Sequence, residues 1–175
     1  MTESIEVRES MPGDLAAIEL LYPETFPDED LLPLVRDLLR EAPAALSLVG
    51  IIDSRLVGHV IFTKCGVVGS SGKAALLGPL AVAPAWQKQR IGSAIVRAGL
   101  RRLEVAGVSH VYVLGDPAYY GRLGFLPESC VAPPYPLPDQ WGGAWQSKSL
   151  GGAATPRPGK LSLPRPWLQP ALWAP

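Results

Sequence analysis

Cysteine and histidine are scarce in this chain of 175 residues, which contains two of each. Cys65 and Cys130 have no histidine or further cysteine at metal-ligand spacing, so nothing resembles a zinc site and a thiol nucleophile is disfavoured. We therefore predict two free thiols in a reducing cytoplasm rather than a disulfide, and no metal cofactor.

An excess of charge of either sign is also missing. Sixteen Lys and Arg residues balance sixteen Asp and Glu residues, so no overall field attracts nucleic acid or an anionic membrane. No apolar run approaches the ~20 residues that span a bilayer. The N-terminal sequence MTESIEVRES lacks the basic and then apolar composition of a signal peptide. We expect a cytoplasmic protein that binds neither nucleic acid nor membrane.

Short apolar strands and amphipathic helices alternate along a chain of single-domain length. The predicted order is βααβββαβαβ. Two helices are predicted over 14–22 and 31–39, with Pro23 and Pro27 bracketing a loop between them. The strand–helix–strand pattern over 76–114 implies a parallel pair with a right-handed crossover, whereas the earlier hairpins imply antiparallel pairing. The predicted fold class is α/β, with a mixed antiparallel/parallel central sheet flanked by helices.

Further strands are predicted from apolar runs separated by turn residues. They cover 45–52, 56–64, 74–82 and 108–114, with a turn at Asp53-Ser54-Arg55 and a strand beginning at Phe125. Gly107 is predicted to end the long helix before residue 108. Asp116 is predicted to cap a short helix that reaches about Arg122.

Proline and tryptophan are concentrated near the C-terminus. Residues 132–175 contain more than half of the nineteen prolines and four of the five tryptophans. Such a segment cannot form long helices, and its aromatic density argues against a disordered tail. We predict a domain over 1–150 and an extended arm over 132–175, with a last strand near Leu161–Leu163. The arm is expected to pack on the domain or on a partner subunit, so a homodimer is one alternative.

A strand feeds a helix through a tight turn in the middle of the chain. The apolar run Leu76–Val82 leads into a loop at Pro84–Lys88, and a helical pattern begins at about Gln89. Helix N-termini expose unpaired N–H groups and carry partial positive charge, which favours a phosphate-bearing ligand. From these residues alone, an ordinary solvated first turn is an equally good interpretation. The glycine patterns of a P-loop and of a Rossmann fingerprint are both missing.

Two segments resemble signatures of the GCN5-related N-acetyltransferases. The sequence QKQRIGSAIV after LAVAP resembles their acetyl-CoA loop, Gln/Arg-x-x-Gly-x-Gly/Ala, with Gln87 at the first position and Gly92 at the last. Arg90 stands where that pattern has its first glycine. The sequence AYYGRLGF resembles the aromatic-Tyr-x-x-x-Gly-Phe signature, and GDPAYYGRLGF is similar to the YhbS-like branch of the family.

The resemblance implies acetyl-CoA as cosubstrate and a primary amine as acceptor, with direct attack in a ternary complex. Backbone groups of Leu80, Ala81 and Val82 would hold the pantetheine and polarise the thioester, if this strand splays from its neighbour. The residues that would hold the pyrophosphate are Gln87, Lys88, Gln89, Arg90, Ile91, Gly92 and Ser93. Tyr120 occupies the position of the general acid that protonates the departing thiolate.

Several alternatives stay open at this point. Arg90 either points away or pairs with a phosphate, or it obstructs the loop. The general base is not fixed: Glu24 is a candidate by location, while His59 and His110 are more often structural residues on strands. The acceptor is expected to meet the loop over 23–30, the strand with His59 and the C-terminal arm. The other function to consider is a non-catalytic CoA-binding or interaction module built around that arm.

Overall fold

The computed structural model describes residues 4–174. The helices are Leu15–Thr25 (α1), Leu32–Leu39 (α2), Ile91–Val105 (α3) and Pro117–Gly121 (α4). The strands are Glu6–Glu9 (β1), Ala45–Ile52 (β2), Arg55–Val67 (β3), Lys73–Val82 (β4), Val108–Leu114 (β5), Leu126–Pro127 (β6), Val131–Ala132 (β7), Trp145–Ser149 (β8) and Gly159–Ser162 (β9). Within residues 4–174, no helix is both long and apolar enough to cross a membrane.

The chain forms two compact units, and β3, β4 and α3 each contribute to both. The first unit contains residues up to Phe62 together with Gly78–Arg101, and the second contains Thr63–Leu77 and everything from Arg102 onward. The predicted mixed sheet flanked by helices is confirmed.

In the first unit the strands are hydrogen-bonded in the order β1-β2-β3-β4. The antiparallel register of β1 and β2 runs from Glu6↔Ile51 to Glu9↔Leu48. Asp53 and Ser54 join β2 to β3 with positive φ angles of 48° and 64°. Positive φ at both central residues is what a type I′ hairpin turn requires. The turn predicted there is confirmed, although Arg55 is already the first residue of β3.

Helix α3 lies against the sheet of the first unit at three glycines. Ile95 is fully buried, and its Cδ1 atom would be 2.8 Å from a Cβ on Gly50 and 2.6 Å from one on Gly58. The ring of Phe62 occupies the space that a side chain on Gly99 would need. The helix and strands can approach this closely only because side chains are missing at these points.

The prediction that Pro23 opens a loop is wrong. Helix α1 continues through Pro23 to Thr25, and the N–H of Phe26 donates to the carbonyl of Tyr22 at 2.8 Å. Proline removes one hydrogen bond to the preceding turn, but only two residues of the helix follow it, so little of the helix is disrupted. Glu24 therefore lies in the last turn of α1, with an exposed side chain, and not in the loop.

In the second unit the order is β3-β4-β5-β8-β6. Strands β4 and β5 are parallel from Lys73↔Val108 to Leu77↔Val113, as the sequence pattern predicts. Strand β8 is antiparallel to both β5 and β6. Strand β9 is antiparallel to β3 and parallel to β7, which confirms a strand near residue 161.

The sequence pattern missed β7 and β8. The β8 sequence WQSKS has polar residues at four of five positions and does not alternate clearly, so its pairing with β5 is invisible locally. The strand expected to begin at Phe125 consists of residues 126–127 only.

Three tryptophans of residues 132–175 are buried in the second unit, at 6% exposure for Trp145, 8% for Trp167 and 1% for Trp173. The indole N–H of Trp167 donates to Thr63 Oγ1, and that of Trp173 donates to the Trp167 carbonyl, both at 3.0 Å. Buried tryptophans usually find such a partner for the N–H. This part of the chain therefore supplies core residues of the second unit.

Candidate functional site

Strand β4 extends beyond its pairing with β5. The parallel ladder ends at Leu77↔Val113, but β4 continues to Val82 and includes Leu80 and Ala81. Pro79 falls in this extension and has no N–H to donate to a ladder. The edge of β4 that pairs with β5 therefore has no β5 partner over its last five residues, Gly78–Val82. Unpaired strand groups of this kind are a template for an amide-rich ligand.

The end of β4 is held by two side chains. The Val82 carbonyl accepts a hydrogen bond from Gln87 Nε2 at 3.0 Å and another from Thr25 Oγ1 at 3.2 Å. The N–H of Ala83 donates to the Val57 carbonyl at 2.9 Å. Gln87, the first residue of the resembled loop motif, thus fixes the turn that leaves the strand. Sequence reasoning missed Thr25, because no local pattern links α1 to the end of β4.

The loop after β4 delays the start of α3. Helix α3 begins at Ile91 and not at about Gln89, so the prediction of its start is wrong by two residues. Lys88 and Arg90 have positive φ angles of 62° and 65°, which a right-handed helix excludes. The four residues before Ile91 are exposed.

Arg90 has a backbone conformation that glycine adopts easily, and glycine is the residue that the resembled motif has at this position. Its φ of 65° lies in the left-handed region, where a non-glycine residue costs about 1–2 kcal/mol. A left-handed residue next to a helical one turns successive N–H groups toward a common point, which forms a concave anion site. The departure from the resembled motif is therefore compatible with a φ angle that glycine adopts easily at this position.

The first turn of α3 has backbone N–H donors and no acidic residue. The carbonyl of Arg90 accepts the N–H of Ala94 at 3.1 Å, so the N–H groups of Ile91, Gly92 and Ser93 lie before the first helical hydrogen bond. Among the described residues none of these three groups donates to a side chain, and the first turn has no acidic residue. A helix of 15 residues adds its dipole to this site. The arrangement suits a phosphate.

Tyr120 lies in the second unit on α4, a helix that is fixed at both ends. Asp116 caps the N-terminus, because its Oδ1 accepts the N–H of Ala118 at 2.9 Å, which confirms the predicted cap. At the C-terminus the N–H of Phe125 donates to the Tyr120 carbonyl and the N–H of Gly124 to the Gly121 carbonyl, both at 3.1 Å.

These two bonds, with a φ of 92° at Gly124, form a Schellman motif. The rings of Tyr120 and Phe125 complete it with an edge contact at 5.7 Å. The signature Tyr-x-x-x-Gly-Phe therefore has a physical reason: glycine adopts the left-handed angle, and the phenylalanine packs on the tyrosine. The motif holds Tyr120 in one orientation.

Burial sets the protonation of Tyr120. Its side chain is 9% exposed, packs edge-on against Tyr119 at 5.0 Å and lies against Gly115, which has no side chain to obstruct it. Burial, and then the neighbouring Tyr119, raise the pKa of Tyr120 well above its usual value. The phenol is therefore protonated at neutral pH and can donate a proton, but it cannot act as a base.

His59 is a structural residue. It is fully buried, with Nδ1 at 2.7 Å from Tyr22 Oη and Nε2 at 2.7 Å from Ser47 Oγ. Burial lowers the pKa of His59 to about 3, against a smaller opposing effect of Asp14. A neutral ring with both nitrogens occupied is not an available base. His110 is also buried, its Nδ1 is 3.0 Å from Ser109 Oγ, and burial lowers its pKa.

The predicted cofactor residues, 80–82 and 87–93, all belong to the first unit, whereas Tyr120 belongs to the second. Within residues 4–174, no group of three or more His, Cys, Asp or Glu side chains is placed to hold a metal ion. Cys65 and Cys130 are free thiols, and burial raises the pKa of Cys65 to about 12.

Comparison with known proteins agrees with the fold. The model of the acetyltransferase (GNAT) family matches residues 15–125. Over 124 residues the chain is 36% identical to the N-acetyltransferase YjhQ of Escherichia coli, covering 67% of this chain and 68% of YjhQ. It is 32% identical to the N-acetyltransferase YhbS of the same species over 120 residues, covering 68% of this chain and 72% of YhbS. The chain belongs to the GNAT acetyltransferase family.

Two solved structures show the same fold. YhbS of E. coli in complex with CoA has a TM-score of 0.80 at 26% identity, covering 97% of this chain and 94% of that one. A GNAT acetyltransferase of Brucella melitensis in complex with acetyl-CoA has a TM-score of 0.75 at 26% identity, covering 94% of this chain and 98% of that one.

Proposed function

We propose that this protein transfers an acetyl group from acetyl-CoA to a primary amine by direct attack in a ternary complex. The observation that carries the proposal is the first turn of α3, where three N–H groups have no side-chain acceptor among the described residues and no acid offsets the helix dipole. The two CoA-bound relatives of the same fold support it.

The residues of the first unit are assigned to the cosubstrate. The N–H groups of Ile91, Gly92 and Ser93 bind the pyrophosphate, and Lys88 and Arg90 add positive charge at the rim. The edge of Leu80–Val82 that has no β5 partner binds the amide groups of the pantetheine, apart from the Val82 carbonyl, which accepts from Gln87 and Thr25. Acetyl-CoA supplies an activated acyl group as its thioester. The protein holds this group in place for attack, which lowers the entropic part of the barrier.

Tyr120 is assigned as the general acid for the departing thiolate. Burial keeps the phenol of Tyr120 protonated at neutral pH, so it can donate a hydrogen bond to the sulfur as the thiolate departs. The amine loses its proton to water or to a carboxylate, for which Glu24 is the candidate, because His59 is neutral and enclosed.

Titration calorimetry with acetyl-CoA tests the cosubstrate, with NAD as a control ligand. We expect selective micromolar binding, lost in Gly92→Trp because the indole fills the space beside the first turn. Gly13→Trp is the matched control, since no atom lies within 4 Å of a Cβ at that position. Both variants must keep the wild-type circular dichroism spectrum. Affinity retained in a folded Gly92→Trp protein would mean that phosphate binds elsewhere.

Tyr120→Phe tests the acid. Thiol release with a panel of amines should fall by about 10- to 1,000-fold, with an unchanged dissociation constant for acetyl-CoA. Tyr119→Phe is the control and should keep most of the turnover. If Tyr120→Phe turns over at the wild-type rate, the residue has no part in proton transfer. Binding without turnover of any amine would instead favour a non-catalytic CoA-binding module.

A further inference from the structure

A cavity of about 560 Å³ lies in the second unit, among residues 127–160. It is outside residues 15–125, which the family model matches. Its volume falls in the range of about 300–1,000 Å³ that is usual for small-molecule sites. Proline and aromatic side chains dominate its lining: Pro127, Pro133, Pro134, Pro136, Pro138, Tyr135, Trp141 and Trp145.

One wall of the cavity is a rigid indole. Trp145 is 6% exposed, and its Nε1 donates to the Val131 carbonyl at 2.8 Å. Its ring is stacked on Tyr112 at 5.7 Å with an interplanar angle of 17°, and it meets the edge of Trp173 at 5.8 Å. A ring held by three contacts forms a fixed, apolar part of the cavity lining that loses no further rotamer freedom on binding.

The remaining walls are also pre-formed. Five lining residues are prolines, whose φ angle is fixed by the ring. Tyr135 and Trp141 are only half-buried, so part of each ring is open to a ligand. Aromatic rings meet partner rings in stacked or edge geometries that stabilise beyond the buried area alone.

The charged residues that line the cavity do not favour a charged ligand. The carboxylate of Glu128 accepts the N–H groups of Cys130 and Val131 at 2.6 and 2.7 Å and the hydroxyl of Ser147 at 2.6 Å. It is thus satisfied within the protein. Asp139 and Lys160, which also line the cavity, have opposite signs. The part of a ligand that fits here is uncharged and apolar.

The cavity adjoins the segment that carries Tyr120. Gly143, which lines the cavity, lies close to Pro117, the first residue of α4. A Cβ added to Gly143 would be 3.9 Å from Pro117 Cγ. The N–H of Gly115 donates to the Ala144 carbonyl at 3.0 Å. The side chain of Gln146 donates to the Gly115 carbonyl at 3.1 Å. Hydrogen bonds therefore connect residues 144 and 146, on either side of the lining residue Trp145, to Gly115, which precedes α4.

We propose that this pocket binds the uncharged aromatic ring of the acceptor amine. That the ligand is the acceptor amine rests on the proposed function. That the pocket binds an aromatic ring rests on the cavity alone. The half-buried rings of Tyr135 and Trp141 offer the surface on which the ring packs, and Trp145 forms the buried, fixed part of the lining.

Indole, which has no amine to acetylate, is the probe for the pocket. Titration calorimetry should show binding to the wild-type protein, weakened about fivefold or more in Trp141→Ala because one stacking partner is lost. Gln140→Ala is the matched control, since Gln140 is exposed, precedes Trp141 and does not line the cavity. No binding at millimolar indole, or equal binding by Trp141→Ala, would overturn the proposal.

Acetylation kinetics separate this proposal from the proposed function. With tryptamine, Trp141→Ala should raise KM about fivefold with little change in kcat, whereas the KM for butylamine should stay unchanged. If both amines are acetylated and neither KM changes, the pocket does not serve the acceptor and the proposed function stands. If indole binds as expected but no amine is acetylated, the ring site stands and the acetyltransfer is refuted.

Discussion

Arg90 combines a left-handed backbone conformation with a long side chain, at the position where the resembled motif has glycine. A φ of 65° is easy for glycine and strained for arginine. The long side chain is exposed and forms none of the ion pairs found among the described residues. Strain of this kind is found most often where the conformation itself is used, which is consistent with the ligand site proposed for this loop.

Comparing Arg90→Gly with Arg90→Ala separates the backbone from the side chain. We expect Arg90→Gly to be more stable to urea than Arg90→Ala by about 1 kcal/mol, because only glycine relieves the strain. Both variants should bind acetyl-CoA more weakly than the wild-type protein, and by the same factor, because both lose the cation. Tighter binding by either variant would mean that the arginine obstructs the loop.

His59 couples folding to pH. It is neutral when folded, with a pKa of about 3, and regains an ordinary pKa near 6.5 when unfolded. Between these values the unfolded state binds the additional proton, so this contribution to stability is complete above about pH 6.5 and is lost as the pH falls toward 3.

A buffer series tests this coupling. The free energy of unfolding should fall by about 2–3 kcal/mol more between pH 7.5 and 4.5 in the wild-type protein than in His59→Gln. The comparison cancels the effect of carboxylates that do not interact with His59. Asp14 is not among them, because it interacts with His59, although the hydrogen bond from Arg8 has the largest effect in lowering its pKa. An identical pH dependence in the two proteins would show that His59 titrates normally.

At the scale of elements, α4 depends on its C-terminal glycine. Gly124 has a φ of 92°, and a side chain there would approach Lys148 Nζ to 2.5 Å. The Schellman motif that it forms includes the Tyr120 carbonyl, which accepts the N–H of Phe125, and so helps to position Tyr120.

Gly124→Ala should therefore lower the free energy of unfolding by about 1 kcal/mol and also reduce turnover. Gly121→Ala is the matched control in the same helix, because no atom lies within 4 Å of a Cβ there and its φ is not positive. It should be neutral or slightly stabilising. If the two variants behave alike in urea denaturation and in thiol release, the motif does not position Tyr120.

On the scale of the whole molecule, residues 132–175 are part of the fold. They supply β8, which pairs with β5, and they bury Trp167 and Trp173 in the second unit. Deleting them to test for a partner would leave β5 with an unpaired edge, so point substitutions are more informative.

Trp173→Ala should lower the free energy of unfolding by about 3–5 kcal/mol, because the indole is 1% exposed and leaves a cavity beside Trp145 and Trp167. Leu168→Ala, at 45% exposure, is the control and should change it by less than about 0.5 kcal/mol. If Trp173→Ala and Leu168→Ala both lower the free energy of unfolding in urea by the same small amount, the C-terminal residues are dispensable for the second unit.

The elements that local sequence could predict are those whose signals lie within the element. Strands β2 and β5 begin and end where the apolar runs predict, and Asp116 caps α4 as its residue type suggests. Local sequence places the start of α3 two residues too early, because positive φ at Lys88 and Arg90 is not expected of these residue types. Pro23 predicts an early end of α1, but it lies only two residues before the end of the helix, where a proline disrupts little.

By itself, the sequence determined the family, the mixed sheet and the identity of the candidate acid, since periodicity and two short motifs are local properties of the chain. Only the tertiary structure decided that His59 is enclosed and neutral, that Thr25 holds the end of β4, and that β8 joins the sheet. Each of these depends on residues distant in sequence. Burial and hydrogen bonding between such residues set protonation and pairing, and no local pattern records them.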